Sequence, residues 1–454
     1  MGKQIDLTQG PIWKRLLQFF LPILLGVFFQ QLYNTVDALV VGNFVGKKAL
    51  AAVGGSASQV INLLVGFFNG LASGATVIIA QLYGGKQHSE LKSALHTSLL
   101  FSILGGALLT VVGLFVAEPG LRLMNTPEDT MEYSMQYTTV IFIGVIPSLL
   151  YNIGSGILRA LGDSRRPLIY LVICCITNTV LDLLFVVIFR MEVLGVAIAT
   201  VLAQCVSAVL VLCALGKLNE AYRFRVRDLR ISGSDLGGIL RIGLPAAIQS
   251  STYSISNLLL MASINVLGTD TVAGNTAAGK VDSIFWMLMG ALGTTVLTFV
   301  GQNIGAKQLK RAKQGIKTCL FAGIAITVVI TLILMSFGEF LLGLFNQDSE
   351  VIRIGYRIMW FCVPCYVFWV LIEVFSGALR GSGDALIPMV LNLVGICALR
   401  LVWLYTVVPA HHTIDTIMLS YPVTWVITGT AFMIYYFRGG WTKRTLTKAA
   451  EEET

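Results

Sequence analysis

Apolar stretches of about 20 or more residues recur from one end of the chain to the other, separated by short clusters of charged and turn-forming residues. Each is long enough to cross ~30 Å of hydrocarbon as an α-helix. Letting the polar clusters end each run predicts twelve transmembrane helices. They fall at residues 13–38, 51–80, 91–117, 133–160, 167–189 and 194–216, then at 237–265, 271–303, 312–337, 354–379, 386–408 and 413–437. The first run carries Lys14 and Arg15 at its start and continues well beyond the apolar core of a signal peptide, so it reads as a retained helix.

Composition strengthens this reading. Of 454 residues, 56% are hydrophobic and 12% charged, whereas a soluble globular chain carries roughly a quarter charged residues. Mean hydropathy is +0.78. The 45 glycines suit helices that approach closely within lipid. Most of the basic residues fall in alternate loops, on the side that would be cytoplasmic if the N-terminus is cytoplasmic, which is the positive-inside bias. Lys217, Arg223, Arg225, Arg227 and Arg230 contribute most, followed by Lys307, Lys310, Arg311, Lys313 and Lys317. The opposite loops hold Glu118, Glu128, Asp129 and Glu132. A multi-pass plasma-membrane protein with both termini cytoplasmic is therefore predicted. Topology accounts for the basic runs without a nucleic-acid partner, and the chain is expected to act as a monomer.

The eight cysteines all fall within predicted spans and give neither a disulfide framework nor zinc spacing. Cys362 and Cys365 have the C-x-x-C form without the strand-helix setting of a redox site. His88, His96, His411 and His412 gather at no acid-rich or cysteine-rich motif. No catalytic cluster, cofactor or structural metal is expected, and the chain does not read as an enzyme.

Internal duplication is the strongest organisational signal. SGILRALGDSRRP at residues 155–167 returns as SGALRGSGDALIP at 376–388. AQLYGGKQ at 80–87 returns at the same offset as GQNIGAKQ at 301–308, and Leu21-Pro22 corresponds to Leu244-Pro245. The predicted organisation is an N-lobe at 1–216, a basic cytoplasmic linker at 217–236, a C-lobe at 237–437 and a cytoplasmic tail at 438–454. Six spans per half leave both halves facing the same way, so the expected fold is all-α, two six-helix bundles about a pseudo-twofold axis along the membrane normal.

These features, with NTVDALVVGNFVG at residues 34–46, make the chain similar over nearly its whole length to the multidrug and toxic compound extrusion family. The resemblance implies a V-shaped pair of bundles that expels organic, often cationic, compounds in exchange for protons or sodium ions. It also implies that Asp37, Asn178, Asp182 and Thr200, which match the family's N-lobe pattern, form the cation-coupling site. Tyr137 resembles a further N-lobe position.

The residues themselves support a coupling chemistry. An Asp at the centre of a transmembrane helix costs about 2.5–3.5 kcal/mol, so Asp37 needs a partner or water. Gln30, Asn34 and Asp37 lie at i, i+4 and i+7, on one helical face. Asn178 and Asp182 are likewise one turn apart. Two carboxylates sharing a poorly solvated site repel and tend to hold a proton between them. The same carboxylate, amide and hydroxyl oxygens suit sodium. A helix-packing network of hydrogen bonds is the alternative. Pro22 can act as a hinge in the first span.

The second half departs from this pattern. With the prolines aligned, Asn34 meets Asn257 and Gln30 meets Tyr253, but Asp37 meets Leu260. Aligning LDLLF at 181–185 with LRLVW at 399–403 sets Arg400 against Asp182. The acids that NorM-like members carry in the seventh helix are replaced by Gln249, Tyr253 and Asn257, which leaves a C-lobe sodium site in doubt. Glu373 either meets a cationic compound or pairs with Arg400; Asp282 lies two residues from Lys280 and has no assigned role.

A drug cavity calls for aromatic, thioether and polar surface. The candidates are Phe28, Tyr33, Asn62, Asn69, Asn152, Met261, Trp286, Met289 and Glu373. A lipid-linked precursor flippase is the alternative transporter, favoured by additional spans and a strongly cationic cavity. A channel would need a repeated ring or filter.

Overall fold

The computed structural model describes residues 4–124 and 126–441. Of the expected tail at 438–454, residues 442–454 lie outside the described residues. Among the described residues there is no strand, and the chain is a succession of long helices.

We number the helices α1 to α12. They are α1 (Ile12–Val45), α2 (Lys47–Gly84), α3 (His88–Leu123), α4 (Glu128–Ile143 continuing as Val145–Ala160), α5 (Arg165–Ile188) and α6 (Glu192–Gly216). After the linker come α7 (Gly233–Asn265), α8 (Thr269–Gly305), α9 (Leu309–Gly343), α10 (Ser349–Gly381), α11 (Leu386–Thr406) and α12 (Ile414–Phe437). Among the described residues ten helices are long and apolar enough to cross a membrane, eleven if the bent pair forming α4 counts as one span. The remaining helix, α7, is long enough but carries Asp235, Arg241 and a polar run from Gln249 to Asn257. Each predicted span thus has its helix, and α4 bends by 54° at Gly144.

The chain divides into two compact units. One holds the residues through Leu7 together with Leu17–Ser251; the other holds Thr8–Leu16 and the chain from Thr252 onward. In the first unit, α2, α3, α4 and α6 share a core that includes Ile79, Leu95, Ile157, Leu161, Val211 and Leu215. Its glycines set the helix spacing. Gly70 and Gly74 of α2 lie directly against the backbone of α7 between Ile239 and Ala247, where a Cβ would collide with main-chain atoms.

The basic linker is docked on the start of α3. His96 Nε2 accepts the Arg225 backbone N–H at 3.1 Å, which leaves Nδ1 to donate to the Lys92 carbonyl at 2.7 Å. The His96 ring stacks on Phe224 with centroids 5.7 Å apart. Lys92 pairs with Asp228 at 2.6 Å, and Ser93 donates to Asp235 at 2.6 Å. Lys92 holds the Asp228 carboxyl below its ordinary range.

In the second unit, α8 packs along α9 and α10, and α12 along α10. Trp286, Tyr366, Trp369 and Trp425 form an aromatic cluster, the Trp286 and Trp369 rings lying 5.0 Å apart edge to face. Val363–Cys365 is a short 3₁₀ turn inside α10. All eight cysteines are free thiols. Apolar side chains such as Phe115, Phe337 and Trp360 point outward, a surface that suits lipid rather than water.

Candidate functional site

The polar face of α1 looks into a cavity of about 650 Å³ within the first unit. Gln30, Asn34 and Asp37 line it, as their spacing predicts. Asn62 and Asn69 enter from α2, Tyr137 and Asn152 from the two arms of α4, and Thr200 from α6. Tyr33 also lines the wall and stands beside both Thr200 and Asp37.

Asp37 is 7% exposed, and Asn178 and Asp182 are fully buried on α5, whose Leu171 and Cys174 line the cavity. Each carboxyl lies in the field of the other, and Tyr137 faces both. Local backbone places the two acids. A π-helical stretch begins at Leu183, directly after Asp182, and another begins at Val41, one turn after Asp37. Such wide turns leave main-chain groups loosely paired and recur at functional sites.

The cluster is short of internal partners. Asp37 and Asp182 neighbour each other, as Thr200 neighbours Tyr33; beyond those contacts Asp37 Oδ1, both Asp182 oxygens, both amide atoms of Asn178 and Thr200 Oγ1 are buried without a hydrogen bond among the described residues. Buried polar atoms are rarely left so. An arrangement of two carboxyls, an amide and a hydroxyl with spare acceptors can take up a proton or a small hard cation. Among the described residues no group of three or more His, Cys, Asp or Glu side chains converges as a metal site.

The structure therefore brings together, around one cavity, Gln30, Tyr33, Asn34, Asp37, Asn62, Asn69, Tyr137, Asn152 and Thr200, with Asp182 beside Asp37 and the buried Asn178 one turn before it on α5. Phe28 is 49% exposed and is not part of this wall. Pro22 lies inside the continuous helix Ile12–Val40. Sequence reasoning missed Gln204 and Ser207, which line the cavity from α6. Their signal was present, because Gln204 follows Thr200 by four residues and so shares its helix face.

Met261, Trp286, Met289 and Glu373 belong to the second unit. Met289 is buried, and Trp286 packs in the aromatic cluster. Glu373 is seated against Gly293 and faces Arg380; no ion pair joins it to Arg400 among the described residues. Arg400 is 3% exposed. Its Nη1 donates to Asn257 at 3.4 Å, and its guanidinium lies over the Tyr421 ring. Asp282 lies beside the Tyr366 hydroxyl.

Comparison with known proteins fits both halves. The MatE family profile matches residues 22–184 and again 245–406. The probable multidrug resistance protein YpnP of Bacillus subtilis is 31% identical over 402 residues, covering 88% of this chain and 89% of its own. The probable multidrug resistance protein YoeA of the same organism is 28% identical over 452 residues, covering 97% and 96%. A solved MOP superfamily transporter from Pyrococcus furiosus superposes with a TM-score of 0.89 over 98% of each chain at 21% identity, a likeness of fold.

Proposed function

The chain belongs to the MatE family, and from that premise we propose that it is a secondary active exporter of small organic compounds, cations among them, which it exchanges for protons or sodium ions by alternating access. The single observation that carries this reading is Asp37, set in the wall of the cavity and in the field of the buried Asp182. Two carboxyls buried against each other have a use for a cation that an ordinary packing network lacks. Asp37, Asn178, Asp182 and Thr200 form the coupling site, supported by Gln30, Asn34 and Tyr137. The names of the Bacillus relatives support the class of exported compound.

We place residues 1–216 and 237–437 as the two lobes, in the plasma membrane, with both termini and the basic linker cytoplasmic. Asp37 serves the coupling ion, so contact with the exported compound falls mainly to the uncharged residues of the cavity. The test is flux of a labelled compound from proteoliposomes under separately imposed proton and sodium gradients. Export driven by one of them is expected; export indifferent to both overturns the reading.

A further inference from the structure

Six side-chain amides face the cavity of the first unit. They are Gln30 and Asn34 from α1, Asn62 and Asn69 from α2, Asn152 from α4 and Gln204 from α6. Among the described residues none of them has a hydrogen-bonding partner on another side chain. Between the amides the wall is aliphatic, with Leu50, Ile61, Val65 and Leu171 among its residues; its aromatic residues are tyrosines, and no Lys, Arg, His, Phe, Trp or Met is found among its described lining. The one charged group, Asp37, is nine-tenths buried, so it offers an occupant little surface.

Each amide presents a carbonyl acceptor and two N–H donors. Gln30, Asn34, Asn62 and Asn69 are exposed, so water can meet these demands when no solute is bound. An occupant that covers these amides must replace the water's hydrogen bonds, since each amide it buries unpaired costs roughly tenfold to a hundredfold in affinity. A lipophilic cation has no such groups to give. A neutral compound with paired donors and acceptors does, and sites built to hydrogen-bond a substrate reject analogues that cannot reciprocate. The volume of about 650 Å³ suits a drug-sized molecule.

Resting on the exporter reading above, we infer that this cavity selects neutral solutes bearing amide, imide or hydroxyl edges over lipophilic cations.

The probes are riboflavin, which carries an imide and a polyol and is neutral at pH 7, and tetraphenylphosphonium, a cation without hydrogen-bonding groups. Binding to the purified full-length protein is measured by calorimetry, and export of each is followed in proteoliposomes under both gradients. Riboflavin is expected to bind at least tenfold more tightly. Asn62→Leu with Asn69→Leu should weaken riboflavin at least tenfold and tighten tetraphenylphosphonium, which no longer leaves those two amides unpaired, whereas Asn62→Gln, which keeps the amide, should bind riboflavin within about threefold of the parent. Tighter binding and export of tetraphenylphosphonium alone, or equal loss of both probes in the leucine variant, would overturn the selectivity and leave the exporter reading intact. Export of neither probe under any gradient counts against both.

Discussion

The guanidinium carbon of Arg400 lies 4.2 Å from the centroid of the Tyr421 ring, close enough for a cation–π stack. Among the described residues its hydrogen bond goes to the neutral Asn257 amide, and its Nε has no hydrogen-bond partner. A buried charge without a carboxylate is expensive, so replacing it with an apolar side chain of similar length is expected to be nearly neutral. Lysine keeps the charge but loses the planar face and the donor fork. Arg400→Lys should therefore lower Tm by a few degrees, a loss of about 1–2 kcal/mol, with Arg400→Met close to wild type. A melt in which the methionine variant is the less stable of the two would refute this balance.

Helix contact in the first unit gives a second expectation. A Cβ at Gly74 would fall 2.7 Å from the Gly243 nitrogen, and one at Gly243 would fall 2.5 Å from the Leu71 carbonyl oxygen. Neither obstacle is a side chain that can rotate away. Gly74→Ala should cost about 1–3 kcal/mol or more, as overpacking does, and lower the melting temperature. Unchanged stability means α2 and α7 are not in backbone contact.

Asp228 supplies a pH dependence outside the membrane. Lys92 lowers its folded-state affinity for protons, so the ion pair contributes fully above the ordinary carboxylate range. That contribution disappears as pH falls through the still lower folded value, below about 4. Relative to the intrinsic rate, which itself falls with pH, protection from hydrogen exchange across residues 223–232 should drop in that window by less than about tenfold, since the pair is part-exposed. Asp228→Asn should already exchange faster at pH 7 and lose the acid response. Equal pH profiles for the two proteins would remove the pair from the account.

The number and order of helices were legible because lipid demands long apolar runs, which polar loops interrupt. The bend in α4 was not, since Val145–Ala160 continues the same hydrophobic character as Glu128–Ile143 across Gly144. Gln30, Asn34 and Asp37 could be grouped from spacing along one helix. Asn62, Asn152 and Gln204 come from three others, and only tertiary packing makes them neighbours. The docked linker was hidden for the same reason, as His96 and Arg225 are 129 positions apart.

Pro22 lacks the N–H that would bond to Gln18 and so weakens one turn of α1 below the polar face. If that turn is the hinge by which occupancy at Asp37 changes the helix, Pro22→Ala stiffens it. Export is expected to fall at least severalfold, with membrane insertion and yield unaltered. Wild-type export rates in this variant would take the hinge out of the mechanism.

The carboxyl pair allows a sharper test than either acid alone. Asp37→Asn and Asp182→Asn each keep the shape of the site and remove one ionisable group. If the two acids take up the coupling ion as a unit, either change should reduce gradient-driven export at least tenfold, and the double variant should be little worse than the singles. Compound binding should persist in all three, because the amides of the cavity are untouched. Independent acids would instead give losses that multiply in the double variant. Flux under imposed proton and sodium gradients, compared with calorimetric binding in the same preparations, separates these outcomes. Unimpaired coupling in Asp182→Asn would show that Asp37 acts without its buried neighbour.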